Sequence, residues 1–357
     1  MDQRLKRLRA FIKENQLDGI IINKPENRRY FSGFTGSAGI LVISDKDNRL
    51  LTDFRYVEQA TQQAPLYQII RYDAAPNSLY EVLGTAAKSL GLHKVGFESD
   101  FVTYDSYRTL STALPGLELM PVKLDSLRMV KDKGELTLLK QAVEIADNAF
   151  SHILSFLKPG IKEYDVAVEL EYKMRQLGAE KAAFDIIVAS GKRGALPHGQ
   201  ASDKKIEPGD FVTMDFGAVY HGYHSDITRT VVIGKASAKQ REIYQIVLGA
   251  QLAGVRAVKA GELCCDVDAA ARKVIEDAGY REYFGHGLGH GVGLAIHEDP
   301  RLSPANTTVK LADNMTVTVE PGIYLPDWGG LRIEDTVVVI NDGADILTAS
   351  DKQLIEL

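Results

Sequence analysis

Residues 211–233 read FVTMDFGAVYHGYHSDITRTVVI. The β-branched and aromatic content predicts two strands, with Tyr220-His221-Gly222 as the turn. Asp215 and Asp226 lie equidistant from the point between Tyr220 and His221. In a hairpin centred there the two carboxylates face each other, with Cβ atoms about 4.5–5.5 Å apart. Directly opposed like charges destabilise a sheet. The flanking Thr213, Met214 and Ile227 read as buried, so a cation between the carboxylates is preferred to a pair of exposed aspartates at strand edges.

The pattern recurs further on. Residues 316–324 (TVTVEPGIY) and 331–340 (LRIEDTVVVI) are strand-like, and Glu320 and Glu334 are equidistant from Asp327 in the connection between them. A charged side chain inside a Val/Ile run is almost never fully buried unless it is paired or holds a metal. Between the two hairpins lies GHGLGHGVG, residues 285–293, followed by Ile296-His297-Glu298. Alternating glycines there defeat a helix and let the backbone come close to a neighbour. Six of the eight histidines fall between His198 and His297. One histidine alone reads as structural, but several on a glycine-rich track beside four acidic residues read as an active site. The HExxH zinc-protease pattern is absent, because His297-Glu298 continues into Asp299-Pro300, which forbids the helix it needs. Four carboxylates and one imidazole suit two hard or borderline divalent ions: Mn²⁺ or Co²⁺ first, with Zn²⁺ also compatible.

Outward from this region the chain divides. The charged stretch 123–134 marks a boundary, giving an N-terminal domain over 1–125 and a C-terminal domain over 126–357. In the first, Leu5, Leu8, Phe11, Ile12 and Leu17 recur at helical spacing, and short buried strands are expected at 20–22, 39–43 and 50–52. The second opens with helices expected over 135–157 and 163–177, and two more near 241–259 and 266–278 precede its β-rich end. The fold class is α/β, in the α+β sense: a small α/β domain before a larger catalytic one. Net charge is −6 over 357 residues, which argues against a nucleic-acid-coating surface. No apolar run reaches the roughly 18 residues a membrane span needs, and MDQRLKRLRA lacks the apolar core of a secretory leader. A cytoplasmic protein is expected. Cys264 and Cys265 are adjacent, which strains a disulfide, and they read as reduced residues on a helix.

The ordered set MDFGA, SDITRT, GHGLGHGVGL, TVEPGIY and RIEDT resembles the pita-bread metallopeptidases, the group that holds methionine aminopeptidase, aminopeptidase P and prolidase. The resemblance spans residues 131–357, and the N-terminal third is similar to the creatinase-type domain of aminopeptidase P and prolidase. It implies that Asp215, Asp226, His290, Glu320 and Glu334 are the metal ligands, with Asp226 and Glu334 bridging two ions. It also implies that His198 and His297 contact substrate and that His286, Tyr324 and Arg332 support the site. His221 and His224 match nothing in the pattern and are assigned to the hairpin turn. The implied activity is cleavage of the bond between an N-terminal residue and a following proline in short peptides, and a homodimer is implied as well. Phe34 and Arg55-Tyr56 are the N-terminal residues that this resemblance would bring to a neighbouring subunit's site.

In the mechanism expected, two metals share a water and lower its pKa, and the resulting hydroxide attacks the scissile carbonyl. Glu320 shuttles the proton to the leaving amine, while His297 and His198 hydrogen-bond the carbonyl oxygen. Arg332, two residues before Glu334, orients a ligand carboxylate, and Arg301 is positioned to bind a free substrate carboxylate or is an ordinary solvated arginine. Competing readings are a methionine aminopeptidase, disfavoured by the N-terminal domain, and a metal-free amidinohydrolase or a non-catalytic binding module. The complete ligand set disfavours the last two. The sequence leaves prolidase and aminopeptidase P open.

Overall fold

The computed structural model describes residues 1–75 and 78–357. They form two compact units, Met1–Arg128 and Met129–Leu357. In the first, a mixed six-stranded sheet runs in the order Gln68–Tyr72, Asn48–Asp53, Ile40–Ser44, Gly19–Ile22, Lys94–Glu98, Glu118–Val122. Its middle strand, GIII, is buried along its whole length and lies antiparallel to Ile40–Ser44 and parallel to Lys94–Glu98. Helix Asp2–Glu14 buries Leu5, Leu8 and Ile12, the apolar side of its helical repeat. Phe34 is wholly buried within this unit. That corrects the expectation that it reaches outward: the Arg28 guanidinium lies 5.9 Å from its ring, and Tyr56 stacks edge-on to it. Phe54, next to Arg55, is the exposed aromatic there.

In the second unit two helix pairs pack against a three-stranded and a five-stranded sheet. Helices Lys133–Phe156 and Glu163–Gln176 share a core with the strands Ile187–Ser190, Phe211–Phe216 and Ile227–Val232. The first of these helices starts two residues before the expected position because Asp132 and Glu135 close a capping box around its N-terminus. Helices Ala238–Ala257 and Cys264–Asp277 share a second core with the sheet Glu298–Leu302, Gly289–Gly291, Thr316–Val319, Asp335–Ile340, Gly343–Ile346. The backbone N–H of Glu334 donates to the Thr228 carbonyl at 3.1 Å, so the two sheets meet along the line where the acidic residues sit. Among the described residues no helix is long and apolar enough to cross a membrane.

The first hairpin differs in register from the sequence reading. Strand Phe211–Phe216 pairs Asp215 with Thr228, not with Asp226. The turn is His221-Gly222, both at positive φ (44° and 73°), as a two-residue turn requires. Asp226 falls in the break between the strands Tyr223–His224 and Ile227–Val232. The slip is two residues, so the side-chain parity survives and Asp226 remains on the same face as Asp215, a diagonal neighbour instead of a direct one. The second hairpin keeps the expected register: Thr316↔Val338 on one side and Gly322↔Arg332 on the other both set Glu320 opposite Glu334.

Candidate metal centre

Each acidic side chain is held by a different strand. Asp215 lies in Phe211–Phe216, Asp226 just before Ile227–Val232, Glu320 just after Thr316–Val319, and Glu334 just before Asp335–Ile340. All but Glu320 are buried, and carboxylate oxygens of Asp215, Asp226 and Glu334 lie within 4.8 Å of one another. Asp215 Oδ1 and Glu334 Oε1 are buried with no hydrogen-bond partner. An orphaned buried carboxylate oxygen is costly, and two of them converging on one spot fit the donor set of a cation.

The imidazole is prepared for the same task. His290 Nδ1 lies 3.0 Å from the Gly291 carbonyl, which fixes the proton on that nitrogen and leaves the Nε2 lone pair free. Nε2 lies 3.5 Å from Asp226 Oδ2 and 3.3 Å from Glu320 Oε1. Burial pushes the His290 pKa down to about 3, so the ring is neutral, as a ligand must be. Burial drives the carboxyls the other way. Glu320 is raised to about 7, with Asp215 adding to the shift and Arg332 and the Thr318 hydroxyl opposing it. Asp226 and Glu334 are raised well above the usual carboxylate range, first by burial and then by the neighbouring carboxylates. Without a cation this cluster keeps protons that ordinary carboxylates release.

Arg332 ties the cluster together. Its Nη2 donates to Asp215 Oδ2 at 2.5 Å, Nη1 to the Tyr324 hydroxyl at 2.8 Å and to the Pro197 carbonyl at 3.1 Å, and Nε to Thr228 Oγ1 at 3.0 Å. Thr228 in turn donates to Glu334 Oε2 at 2.7 Å, so one guanidinium positions two carboxylates, Asp215 directly and Glu334 through a hydroxyl. Burial opposes the Arg332 charge, but Tyr324, Asp215, Glu320 and Glu334 hold its pKa well above the ordinary value. The Tyr324 hydroxyl also lies 3.0 Å from His286 Nε2, and burial lowers the His286 pKa to about 4.

Two threonines carry roles the sequence reading missed, Thr228 and Thr318; Thr318 Oγ1 bonds Glu320 Oε1 at 3.0 Å and receives the His290 N–H at 3.0 Å. Each stands two residues from an acidic residue on the same strand face, and that alternation was the signal available.

The cluster forms the floor of a cavity of about 620 Å³. His198, His286, His297, Arg301 and Ser303 line it, along with the apolar Phe184, Ile187, Pro197 and Ile296. The His297 ring stands edge-on to His290 with centroids 4.5 Å apart, and burial lowers its pKa. His221 sits at the hairpin turn as expected, but His224 does not merely decorate it: its backbone N–H donates to the Gly293 carbonyl at 2.8 Å. The glycine track comes close to neighbouring backbone, and Gly287 and Gly289 also line the cavity. A Cβ on Gly289 would lie 2.0 Å from the Thr318 carbonyl oxygen, and one on Gly291 2.3 Å from that of Asp299.

Buried carboxylates, a neutral imidazole and an adjoining half-apolar cavity define a metal-dependent hydrolase site. Residues 137–341 match metallopeptidase family M24, and residues 4–130 match the creatinase/prolidase N-terminal domain. The chain belongs to metallopeptidase family M24, with the creatinase-type domain ahead of the pita-bread catalytic domain. A solved Xaa-Pro dipeptidase from Bacillus anthracis is 50% identical, with a TM-score of 0.96 over 99% of each chain. A Pyrococcus furiosus Xaa-Pro dipeptidase is 42% identical over 99% of this chain and 100% of its own. A solved X-Pro aminopeptidase from Thermotoga maritima is 39% identical, with a TM-score of 0.91 over 99% of this chain and 100% of its own.

Proposed function

We propose that this metallopeptidase is an exopeptidase that cleaves the bond between an N-terminal residue and a following proline, using two divalent ions held by Asp215, Asp226, His290, Glu320 and Glu334. The observation that carries the metal assignment is the pair of orphaned buried oxygens, Asp215 Oδ1 and Glu334 Oε1, converging with Asp226. Asp215, Asp226, Glu320 and Glu334 with the single imidazole of His290 would hold the ions, and Mn²⁺ or Co²⁺ suits this oxygen-rich set. When bound, such ions lower the pKa of water enough to supply a nucleophile near neutral pH.

The chain's own residues do the rest. Glu320 would take a proton from the attacking water and return it to the proline nitrogen, which leaves as a secondary amine. His297 and His198 donate to the carbonyl oxygen as charge develops on it. Arg332 holds Asp215 and Glu334 in place, while Phe184, Ile187 and Ile296 offer apolar surface to a side chain or a proline ring. Specificity for proline is supported by the named activities of the relatives above. The dipeptidase form is favoured over the aminopeptidase form by Arg301, which lines the cavity and has no ion pair among the described residues, leaving its charge for a substrate carboxylate. We further propose a homodimer, which light scattering checks, and a cytoplasmic location, which cell fractionation checks.

The test is hydrolysis of Ala-Pro, Ala-Pro-Ala and Met-Ala-Ala by chelator-stripped protein reloaded with Mn²⁺ or Co²⁺. Cleavage confined to Ala-Pro is expected. Cleavage of Ala-Pro-Ala before proline would move the protein to the aminopeptidase form. Release of methionine in place of either would overturn the proline specificity, and no metal-restored turnover would overturn the reading entirely.

A further inference from the structure

Glu163 opens helix Glu163–Gln176 and is fully buried, away from the metal cluster. Its carboxylate accepts five hydrogen bonds. Oε1 takes them from the Ser190 backbone N–H at 2.7 Å and the Ser190 hydroxyl at 2.8 Å. Oε2 takes them from Arg193 Nε at 2.9 Å, the Ser202 N–H at 3.2 Å and the Ser202 hydroxyl at 2.6 Å. Ser190 and Ser202 bracket the segment that carries Pro197 and His198, and Arg193 lies inside it. The segment is fixed at several other points. Arg193 Nη2 donates to the Gln200 carbonyl at 2.5 Å, the Gly199 N–H to the Leu196 carbonyl at 3.0 Å, and Arg332 Nη1 to the Pro197 carbonyl at 3.1 Å. Gly194 rests against the backbone of Gly330: a Cβ there would lie 2.8 Å from the Gly330 carbonyl oxygen.

A buried ion pair with its hydrogen bonds adds little net stability compared with well-packed apolar groups, although breaking one is costly. What this one does provide is direction. A carboxylate saturated by donors from positions 190, 193 and 202 admits one arrangement of the chain between them, and that chain presents His198 to the cavity.

We propose that Glu163 is a positioning residue for the reaction: it holds the loop over residues 191–201 so that His198 meets the substrate at a fixed distance, and it acts through His198 and not through the metals. The proposal rests on the reading that His198 touches substrate, and the test separates the two.

The Mn²⁺-loaded full-length enzyme is compared with E163Q, H198A and the double variant on Ala-Pro, with bound metal and thermal midpoint measured in parallel. E163Q replaces an acceptor with a donor against Arg193 and the serines. A misplacement near 1 Å is enough to cost on the order of 100-fold in rate, so a fall in kcat/KM of roughly 10- to 100-fold is expected, at unchanged metal content. In the H198A background the same substitution should change kcat/KM less than about twofold, because positioning energy shared with an absent side chain cannot be lost twice. S202A, which removes one hydroxyl donor and leaves Glu163 in place, should show a smaller fall that likewise vanishes beside H198A. It carries the test if E163Q does not fold. Full activity in E163Q, lost metal, or an undiminished effect of either variant in the H198A background overturns the proposal. If H198A is itself fully active while E163Q is impaired, the His198 reading fails and the positioning role falls with it; if H198A is impaired and the effects multiply, the positioning role alone fails.

Discussion

Removing the metal should make the stability of this protein fall as pH rises across the neutral range. Burial pushes the folded carboxyl of Glu320 up to about 7 from an ordinary value of 4.5, and displaces Asp226 and Glu334 in the same direction. Between those two values the unfolded chain has released the Glu320 proton and the folded chain retains it, so stability declines with pH through that window. A displacement from 4.5 to about 7 corresponds to roughly 3 kcal/mol at about 1.4 kcal/mol per pH unit. The neighbouring Asp215, Asp226 and Glu334 have carboxylate oxygens within 4.8 Å of one another, a range at which ionised carboxylates repel by about 3–4 kcal/mol or more at an effective dielectric of 20. For a unit of this size, 3 kcal/mol is worth about 6–12 °C in midpoint. The assay is calorimetry of chelator-treated protein from pH 4.5 to 8, beside the same protein saturated with Mn²⁺. The apo midpoint should fall by that amount relative to the loaded protein, with Asp226 and Glu334 extending the decline above pH 7. An apo stability that is flat or rises over this range would refute the reasoning, since burial and the neighbouring carboxylates would then not be holding protons on these groups in the folded state.

Arg332→Leu strips Asp215 and Thr228 of their shared donor; metal affinity should weaken about 10- to 100-fold, read by competition with a chelating dye, and unchanged affinity would mean the guanidinium is not what aligns the carboxylates. Asp335 is fully buried between Arg229 at 2.8 Å and Lys352 at 2.5 Å, so Asp335→Asn should cost about 3–5 kcal/mol in urea unfolding, and a loss below about 1 kcal/mol would contradict it. Arg301→Ala should raise KM for Ala-Pro about tenfold, roughly 1.4 kcal/mol, while sparing the C-terminally amidated dipeptide; equal losses on both would remove Arg301 from carboxylate recognition.

Glu320 and Glu334 could be paired from sequence because strand register is additive: the two ladders on either side of them share one register, so a midpoint at Asp327 locates both. The same argument misjudged Asp215 and Asp226 because the turn centre was placed one residue early: the two-residue turn is His221-Gly222, and one register, Val219↔His224 through Phe211↔Val232, runs out from it. Moving the centre by one residue shifts the pairing by two, which sets Asp215 opposite Thr228. The period-two alternation still put both aspartates on the correct face. Helices announced themselves through caps and apolar repeats, as Asp132 and Glu135 do for Lys133–Phe156. What stayed invisible was long-range polar contact. Nothing in the sequence around Glu163 says that it will meet Ser202, nor around Thr228 that it will meet Glu334 more than a hundred residues later. Such pairs are fixed by how the sheets and helices pack, and a single sequence carries no record of it.

The glycine track through Gly287, Gly289 and Gly291 has a consequence for how this enzyme can change. That wall of the cavity is main chain laid against main chain, and a single added methyl at Gly289 or Gly291 would collide with the adjoining strand. Selection, natural or in the laboratory, therefore has no purchase there. New substrate preferences would then be written elsewhere in the lining, at Phe184, Ile187 and Ile296, where side chains and not backbone border the cavity. A library at those three positions would reshape the cavity while the glycine wall stays as it is.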